Sequence, residues 1–194
     1  IETFGLGFMF APALHPAMKH AMTARKSLAI RTVFNILGPL CNPANVKRQV
    51  MGIFDGHLTE KIANVLKILG SKHAMIVHGD DGLDEISTTS KTRFTELLPN
   101  GQIESGRISP TNFNIETTDL NTLKGGSPNH NAKILQNILN GEKGPQRDIV
   151  ILNAAAGIKV GGKASSMEEG ILLAEEAIDS GSANDILKSL INVK

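Results

Sequence analysis

Hydrophobic and polar positions follow two kinds of pattern along the chain, one typical of strands and the other of amphipathic helices. Short apolar stretches predict strands over residues 49–54 and 74–77. Residues 93–98 and 102–108 flank a Pro-Asn-Gly sequence, which is typical of a hairpin turn. Between the first two strands, apolar residues at helical spacing predict a helix over residues 59–69. This alternation predicts an α/β layered fold.

Further helices are predicted from residues that begin or end them. Ser127-Pro128 has the order of an N-cap followed by a first helical residue, and Gly141 is typical of the residue just after a helix. Ser166 opens a capping-box pattern that predicts a helix reaching Asp179. A last short helix is predicted over residues 183–191. Together these segments supply the helical layers of the fold.

Three predictions depend on local pattern alone. The apolar run 148–152 predicts a central parallel strand, with a helix starting at Asn153. Helical spacing over residues 17–29 predicts a helix near the start of the chain. The sequences Leu37-Gly38-Pro39-Leu40 and Asn42-Pro43 predict a firm helix stop, because Gly and Pro each disrupt a helix through the backbone. The predicted sheet is therefore mixed, mostly parallel and flanked by helices.

Composition narrows the class of function. The chain has 194 residues, 41% hydrophobic and 20% charged, which is ordinary for one globular domain. Its 20 Lys and Arg against 19 Asp and Glu leave a charge of +1, and its only aromatic residues are seven Phe. We therefore expect no binding of nucleic acid. No apolar run approaches the roughly 20 residues that cross a bilayer, so we expect no membrane partner.

The single cysteine and the first residues suggest where the chain resides and how it arises. Cys41 cannot form an internal disulfide, which fits a reducing, cytoplasmic location. The sequence starts at Ile1 without an initiator Met or a basic leader. We expect it to be a processed product or a fragment.

The segment 78–85 carries the most promising chemistry. It places four carboxylates, those of Asp80, Asp81, Asp84 and Glu85, directly after a buried strand. Ligands of open α/β sheets collect at the carboxyl ends of strands, and paired carboxylates suit Mg²⁺ when substrate phosphates complete its coordination. A solvated acidic turn accounts for the same residues equally well.

A basic stretch lies near the start of the chain, and sequence motifs for other chemistries are absent. Residues 15–31 hold a cluster of His, Lys and Arg that suits a carboxylate or phosphate, although a solvated helix face explains it as well. No Walker loop, nucleophile elbow or Cys-x-x-Cys pair occurs in the sequence. Covalent catalysis is therefore not indicated.

Five segments in collinear order resemble one known family. They are residues 8–19, 31–43, 82–87, 144–156 and 162–181, including Arg-Thr-Val-Phe-Asn-Ile-Leu-Gly-Pro-Leu and Gly-Leu-Asp-Glu-Ile-Ser. The chain resembles the second half of the anthranilate phosphoribosyltransferases over nearly its whole length. The resemblance implies the large α/β domain of the nucleoside phosphorylase and phosphoribosyltransferase fold. It also implies that residues 1–194 form one such domain, in which about 25–45 contribute to a small helical domain.

The resemblance implies a reaction and its site residues. The reaction transfers the phosphoribosyl group of phosphoribosyl pyrophosphate to anthranilate, in tryptophan biosynthesis, with Mg²⁺ as cofactor. Asp84 and Glu85 match the family's Mg²⁺-binding pair. Arg25 matches an arginine near the anthranilate carboxylate, and His15 and Gly38 match residues of the anthranilate channel. No acid, base or nucleophile is assigned.

The match also implies missing parts and leaves alternatives. The family's Gly-Thr-Gly-Gly-Asp and Lys-His-Gly-Asn segments do not occur in this sequence. We therefore expect a C-terminal α/β portion, inactive alone, of an enzyme that is a homodimer when full length. Two alternatives remain: an enzyme like the pyrimidine nucleoside phosphorylases, and a non-catalytic, nucleic-acid-binding paralogue of the same fold.

Overall fold

The computed structural model describes residues 1–9, 34–40, 42 and 44–192 of the chain. Four strands form one sheet in sequence order: β1 (Arg48–Gly52), β2 (His73–Gly79), β3 (Thr92–Leu97) and β4 (Ile103–Ile108). β1 pairs with β2 in parallel, whereas β2 with β3 and β3 with β4 are antiparallel. The sheet is mixed, as predicted.

The prediction of a mostly parallel sheet is wrong for the described residues. One of the three strand pairs is parallel, and the hairpin β3–β4 supplies two antiparallel neighbours. Hairpin connections join antiparallel strands, whereas parallel strands need a long crossover such as the helix between β1 and β2. The other expected parallel strand, over residues 148–152, is a helix.

Helices flank the sheet, and most begin and end where the sequence predicts. Those in the described residues are α1 (Phe34–Leu40), α2 (Thr59–Ile68), α3 (Pro128–Leu139), α4 (Pro145–Gly161), α5 (Met167–Asp179) and α6 (Ser182–Ile191). Ser127 and Ser166 cap α3 and α5, since their hydroxyls accept from the amides of His130 at 3.3 Å and Glu169 at 3.2 Å. The helix predicted over residues 17–29 lies outside the described residues.

The two faces of β2 supply two hydrophobic cores. Met75 and Val77 join the core under α4, whereas Ala74 and Ile76 join the core under α2. All four side chains are buried, as period-2 alternation between two covered faces requires. The short apolar strand predicted over residues 74–77 is confirmed, and the helices hold it in place from both sides.

Residues 148–152 belong to α4, so the predicted strand there and the predicted helix start at Asn153 are both wrong. Leu152 and Val160 pack on the sheet core, whereas Ile151 packs against the neighbouring helices. A helix covered on two sides needs apolar residues around most of its circumference. Such a run cannot be distinguished from a buried strand by periodicity.

The helix stop predicted over residues 37–43 agrees with the structure. α1 includes Gly38 and Pro39 and ends at Leu40, inside the predicted stop. Proline lacks the amide hydrogen that would continue the helical hydrogen bonds, and the helix ends one residue after it.

No helix of the described residues is both long and apolar enough to cross a membrane.

An ion pair ties the first turn of α4 to the end of α5. The Arg147 side chain is 1% exposed, and its guanidinium donates to both carboxylate oxygens of Asp179, at 2.6 and 2.9 Å. These hydrogen bonds lower the pKa of Asp179 to about 2, from 3.8. The same bond raises the pKa of Arg147.

We expect this pair to stabilise the fold above pH 4 and to be lost in acid. A carboxyl whose folded pKa lies below its unfolded pKa stabilises the folded state above the unfolded value, and the gain disappears as pH falls through the folded value. Urea unfolding of the wild type and Asp179→Asn should therefore differ most at pH 5 to 7. The difference should shrink between pH 4 and pH 2; a constant difference would contradict this assignment.

Candidate functional site

The acidic segment leaves the carboxyl end of β2 and turns across the carboxyl end of β1. Because the two strands are parallel, both ends lie at the same edge of the sheet. The turn is closed by the amide of Gly82, which donates to the Gly79 carbonyl at 2.9 Å, and by the amide of Gly79, which donates to the Leu83 carbonyl at 2.8 Å. Gly82 has a φ of +93°, which glycine adopts without strain. The acidic loop, residues 80–87, is thus an ordered turn.

The Asp81 carboxylate accepts hydrogen bonds from within and next to the acidic loop. The hydroxyls of Ser87 and Thr89 donate to its Oδ2, and the amide of Leu83 donates to its Oδ1 at 3.0 Å. Burial raises the pKa of Asp81, but these hydrogen bonds to the ionised form outweigh it, and the pKa is lowered overall. This carboxylate organises the turn and has little capacity left for a ligand.

The Asp80 carboxylate forms an ion pair with a residue outside the acidic loop. Its Oδ2 accepts from the guanidinium of Arg107 on β4, and both side chains are substantially exposed. The pair links the start of the acidic loop to the edge strand of the sheet. Two of the four carboxylates are therefore committed to structure.

Asp84 and Glu85 are the two carboxylates of this loop that are exposed and have no hydrogen bond or ion pair to any residue in the described part of the chain. The pKa of Glu85 is raised, first because the surrounding protein removes part of the water around its carboxyl and then because of the negative charges of Asp84 and Asp81. Like charges held together raise the proton affinity of a carboxyl, and a bound cation relieves the same repulsion. This adjacent pair is the part of the acidic loop that suits a divalent cation.

The pair cannot enclose a metal by itself. Within the residues that the structure describes, no group of three or more His, Cys, Asp and Glu could hold a metal ion. Mg²⁺ takes six oxygen ligands and is usually bound by one or two carboxylates, with water and substrate phosphates supplying the others. Asp84 and Glu85 fit that partial ligand set.

Two contacts that the sequence did not predict hold the backbone next to the acidic pair. The side-chain amide of Asn153 on α4 makes two hydrogen bonds to the backbone of Ile86, each at 2.8 Å. Its Oδ1 accepts from the Ile86 N–H and its Nδ2 donates to the Ile86 carbonyl. A Cβ placed on Gly52 at the end of β1 would lie 1.5 Å from the Asp84 carbonyl oxygen. A glycine inside a strand signals such close approach, so Gly52 could have been found from the sequence. Nothing local marks Asn153.

The residues predicted to bind the acceptor are only partly covered by the structure. His15 and Arg25 lie outside the described residues. Gly38 lies in α1, and apart from its chain neighbours and its own helix backbone no described residue has an atom within 4 Å of the position that a Cβ would take. Its neighbours Ile36 and Leu40 pack against the core under α2. The roles of these three residues stay predictions.

Three further histidines either make structural contacts or lie at the surface. His73 is buried against Glu96, with 2.7 Å between Nε2 and Oε1. His78 lies just before the acidic loop, and its Nδ1 contacts the Ile53 carbonyl oxygen at 2.8 Å. His57 is exposed at the short turn before α2. None of the three belongs to the acidic pair.

Comparison with known proteins places this geometry in a family. Residues 1–184 match the sequence profile of the glycosyl transferase family, a/b domain. The chain is 53% identical to the anthranilate phosphoribosyltransferase of Alkaliphilus metalliredigens over 193 residues, which is 100% of this chain and 57% of that relative. That protein is longer than this chain, which spans 57% of its length and 53% of the length of the relative from Acetivibrio thermocellus.

Solved structures give the same result. The crystal structure of anthranilate phosphoribosyltransferase from Thermus thermophilus matches with a TM-score of 0.88 and 39% identity, over 97% of this chain and 55% of that one. The Saccharomyces cerevisiae anthranilate phosphoribosyltransferase in complex with PRPP (phosphoribosyl pyrophosphate) and Mg matches with a TM-score of 0.80 and 32% identity, over 90% of this chain and 50% of that one. The sequence profile, the relatives and the structures therefore agree that this chain belongs to the glycosyl transferase family through its a/b domain.

Proposed function

We propose that the intact protein transfers the phosphoribosyl group of phosphoribosyl pyrophosphate (PRPP) to anthranilate, giving N-(5-phosphoribosyl)anthranilate and pyrophosphate in tryptophan biosynthesis. The observation that carries this proposal is the exposed, unpartnered Asp84–Glu85 pair at the carboxyl end of β2 in the described fold. Its setting in a chain 53% identical to an anthranilate phosphoribosyltransferase supports the choice of reaction.

Asp84 and Glu85 would hold Mg²⁺ against the pyrophosphate of the donor. When bound, Mg²⁺ neutralises charge on the departing pyrophosphate. The bond from the ribose C1 to the pyrophosphate oxygen breaks, a bond from C1 to the anthranilate nitrogen forms, and the amine loses a proton. The structure of a yeast relative in complex with PRPP and Mg supports the choice of PRPP and Mg²⁺ as substrate and cofactor.

Chain residues other than the acidic pair would act by orienting the acceptor. An aryl amine is already neutral at pH 7, so it needs no protein base before it attacks. We propose that Arg25 pairs with the anthranilate carboxylate and that His15 and Gly38 line its channel. Catalysis then comes from positioning and from electrostatic stabilisation of a cationic sugar.

The proposal extends to the organisation of the intact protein. We propose that residues 25–45 contribute to a small helical domain and that the intact protein is a homodimer, both on the family resemblance. The donor's phosphates also need backbone amides and a lysine of the kind that the phosphate loop of the family supplies. A cytoplasmic location is supported by the single cysteine, Cys41, which has no partner in this sequence for an internal disulfide.

Anthranilate fluorescence tests the proposed reaction directly. The intact protein with PRPP and Mg²⁺ should consume anthranilate and release one pyrophosphate per turnover, and chelation of the metal should stop both. Phosphate-dependent cleavage of pyrimidine nucleosides, with anthranilate untouched, would contradict the proposal in favour of a phosphorylase. Salt-sensitive binding of random DNA without either activity would favour the non-catalytic alternative.

A further inference from the structure

Asn153 holds the backbone of the residue next to the acidic pair. Its Nδ2 donates to the Ile86 carbonyl at 2.8 Å and to the Ile149 carbonyl at 2.9 Å, and its Oδ1 accepts from the Ile86 amide at 2.8 Å. Both amide hydrogens and the carbonyl oxygen are thus used, so the orientation of the side chain is determined by its partners. Ile86 is fully buried, which leaves its backbone no water as an alternative partner.

Gly52 limits the same segment from the opposite side. The Asp84 carbonyl oxygen lies where the Cβ of any other residue would be, only 1.5 Å from that position, and the carbonyl carbon lies 2.4 Å from it. No rotamer change can relieve this overlap, because the colliding atoms belong to the backbone. The segment 84–86 therefore passes between the end of β1 and the side of α4, in contact with both.

Both contacts come from rigid elements. Leu152 and Ala155, close to Asn153 on α4, are 0% exposed in the core under that helix. Gly52 ends a strand whose partner β2 is buried on both faces. Asp84 and Glu85 repel each other, and a loose backbone would let them separate. A tethered backbone keeps both carboxylates within reach of one cation without reordering the loop when it binds.

We propose that Asn153 and Gly52 are positioning residues, which hold the backbone of residues 84–86 so that the Asp84 and Glu85 carboxylates are preorganised for a divalent cation. This inference rests on the proposed function of that pair. Neither residue touches the cation or the substrate. Each acts through the loop, as outer contacts of metal ligands commonly do.

The first test removes the Asn153 anchor. In the intact protein, Asn153→Ala should weaken Mn²⁺ binding in the presence of pyrophosphate by about 10- to 100-fold, measured by electron paramagnetic resonance. The amide of Ile86 should exchange with deuterium faster, with or without metal. The Mg²⁺ concentration for half-maximal rate should rise while the KM for anthranilate stays unchanged, which a general loss of structure would not produce.

A matched control separates the loop contact from the helix contact. Asn64 on α2 donates from Nδ2 to the carbonyl of Glu60, four residues earlier, at 2.9 Å. Asn153 makes the same kind of hydrogen bond to the carbonyl of Ile149. Asn64→Ala removes only this bond and should leave Mn²⁺ affinity and Ile86 exchange at wild-type values. An equal loss of Mn²⁺ affinity in the Asn64 variant would overturn the positioning role.

Further variants keep the test decisive if Asn153→Ala does not fold. Asn153→Gln retains the amide with one more methylene group, and its Mn²⁺ affinity should lie between those of the wild type and the alanine variant. Gly52→Ala should also weaken Mn²⁺ binding. Gly157→Ala on α4 is its control, because apart from its own helix backbone no described residue lies within 4 Å of a Cβ at that position.

The outcomes distinguish this inference from the proposed function. Faster exchange at Ile86 with unchanged Mn²⁺ affinity, in either Asn153 variant, would overturn the positioning role alone. Wild-type Mn²⁺ affinity after replacement of both Asp84 and Glu85 would instead refute the cation role of the pair, on which the inference rests. Weak binding in the Asn153 and Gly52 variants, with both controls unchanged, supports the inference.

Discussion

Replacing Asp84 by Asn and Glu85 by Gln in the intact protein is expected to lower kcat/KM by about 100-fold or more, the usual effect of removing a preorganised electrostatic contact to the transition state. The single variants should retain part of the activity and should recover some of it at higher Mg²⁺ concentration. Steady-state rates at several Mg²⁺ concentrations give both quantities. Turnover and a Mg²⁺ requirement equal to those of the wild type would contradict the assignment of this pair.

Thermal unfolding shows whether such a loss has a local cause. Asp84 and Glu85 are exposed and make no hydrogen bond or ion pair with described residues, and their charges repel. The double variant should therefore unfold at the wild-type temperature or slightly above it, as often found when a functional site is neutralised. Asp80→Asn is the control from the same loop, since that carboxylate pairs with Arg107. It should leave turnover close to the wild-type rate.

Replacing Glu96 by Ala should lower the free energy of unfolding by about 3–5 kcal/mol, since one partner of a buried ionic network is removed while the others remain. The Glu96 side chain is 5% exposed and bridges two elements: its Oε1 lies 2.7 Å from His73 Nε2, and Lys159 Nζ donates to both carboxylate oxygens, at 2.8 and 2.7 Å. Urea unfolding at pH 7 measures the loss.

The position of the partners explains the size of this effect. The guanidinium of Arg48 can only donate hydrogen bonds, and it contacts His73 Nδ1 at 3.4 Å. That nitrogen is therefore assigned as an acceptor, which places the ring proton on Nε2, facing Glu96. Without Glu96, this proton and the Lys159 ammonium are left in a largely buried place. Glu104, paired directly with Glu96 across the hairpin, is exposed. Glu104→Ala should change stability by less than about 0.5 kcal/mol, and equal losses would contradict the network's role.

Elements with a clear local signal were predicted correctly from the sequence. The helix ends at Ser127 and Ser166 are confirmed, because a hydroxyl that accepts from the first turn is a contact between near neighbours. The hairpin over β3 and β4 is confirmed for the same reason, with its turn at residues 99–101. Such signals depend on a few adjacent residues and need no knowledge of the rest of the fold.

Other features depend on partners far along the chain. Residues 148–152 form helix because α4 is covered by the sheet on one side and by helices on the other, which a local pattern cannot reveal. Which carboxylates of the acidic loop remain available is also a tertiary outcome. Arg107, which lies 27 positions from Asp80, occupies that carboxylate, whereas the Ser87 and Thr89 hydroxyls occupy Asp81.

Short-range backbone preferences and hydrophobic periodicity were enough to specify the α/β class, most helix ends, the buried strand β2 and the acidic loop that follows it. Contacts made in the folded chain were needed to select the two of four carboxylates that stay unpartnered among the described residues. The same contacts place Asn153 against Ile86, 67 positions away, and Gly52 against Asp84. Hydrogen bonds and close packing between distant segments exist only after the chain has folded, and they shape the candidate site.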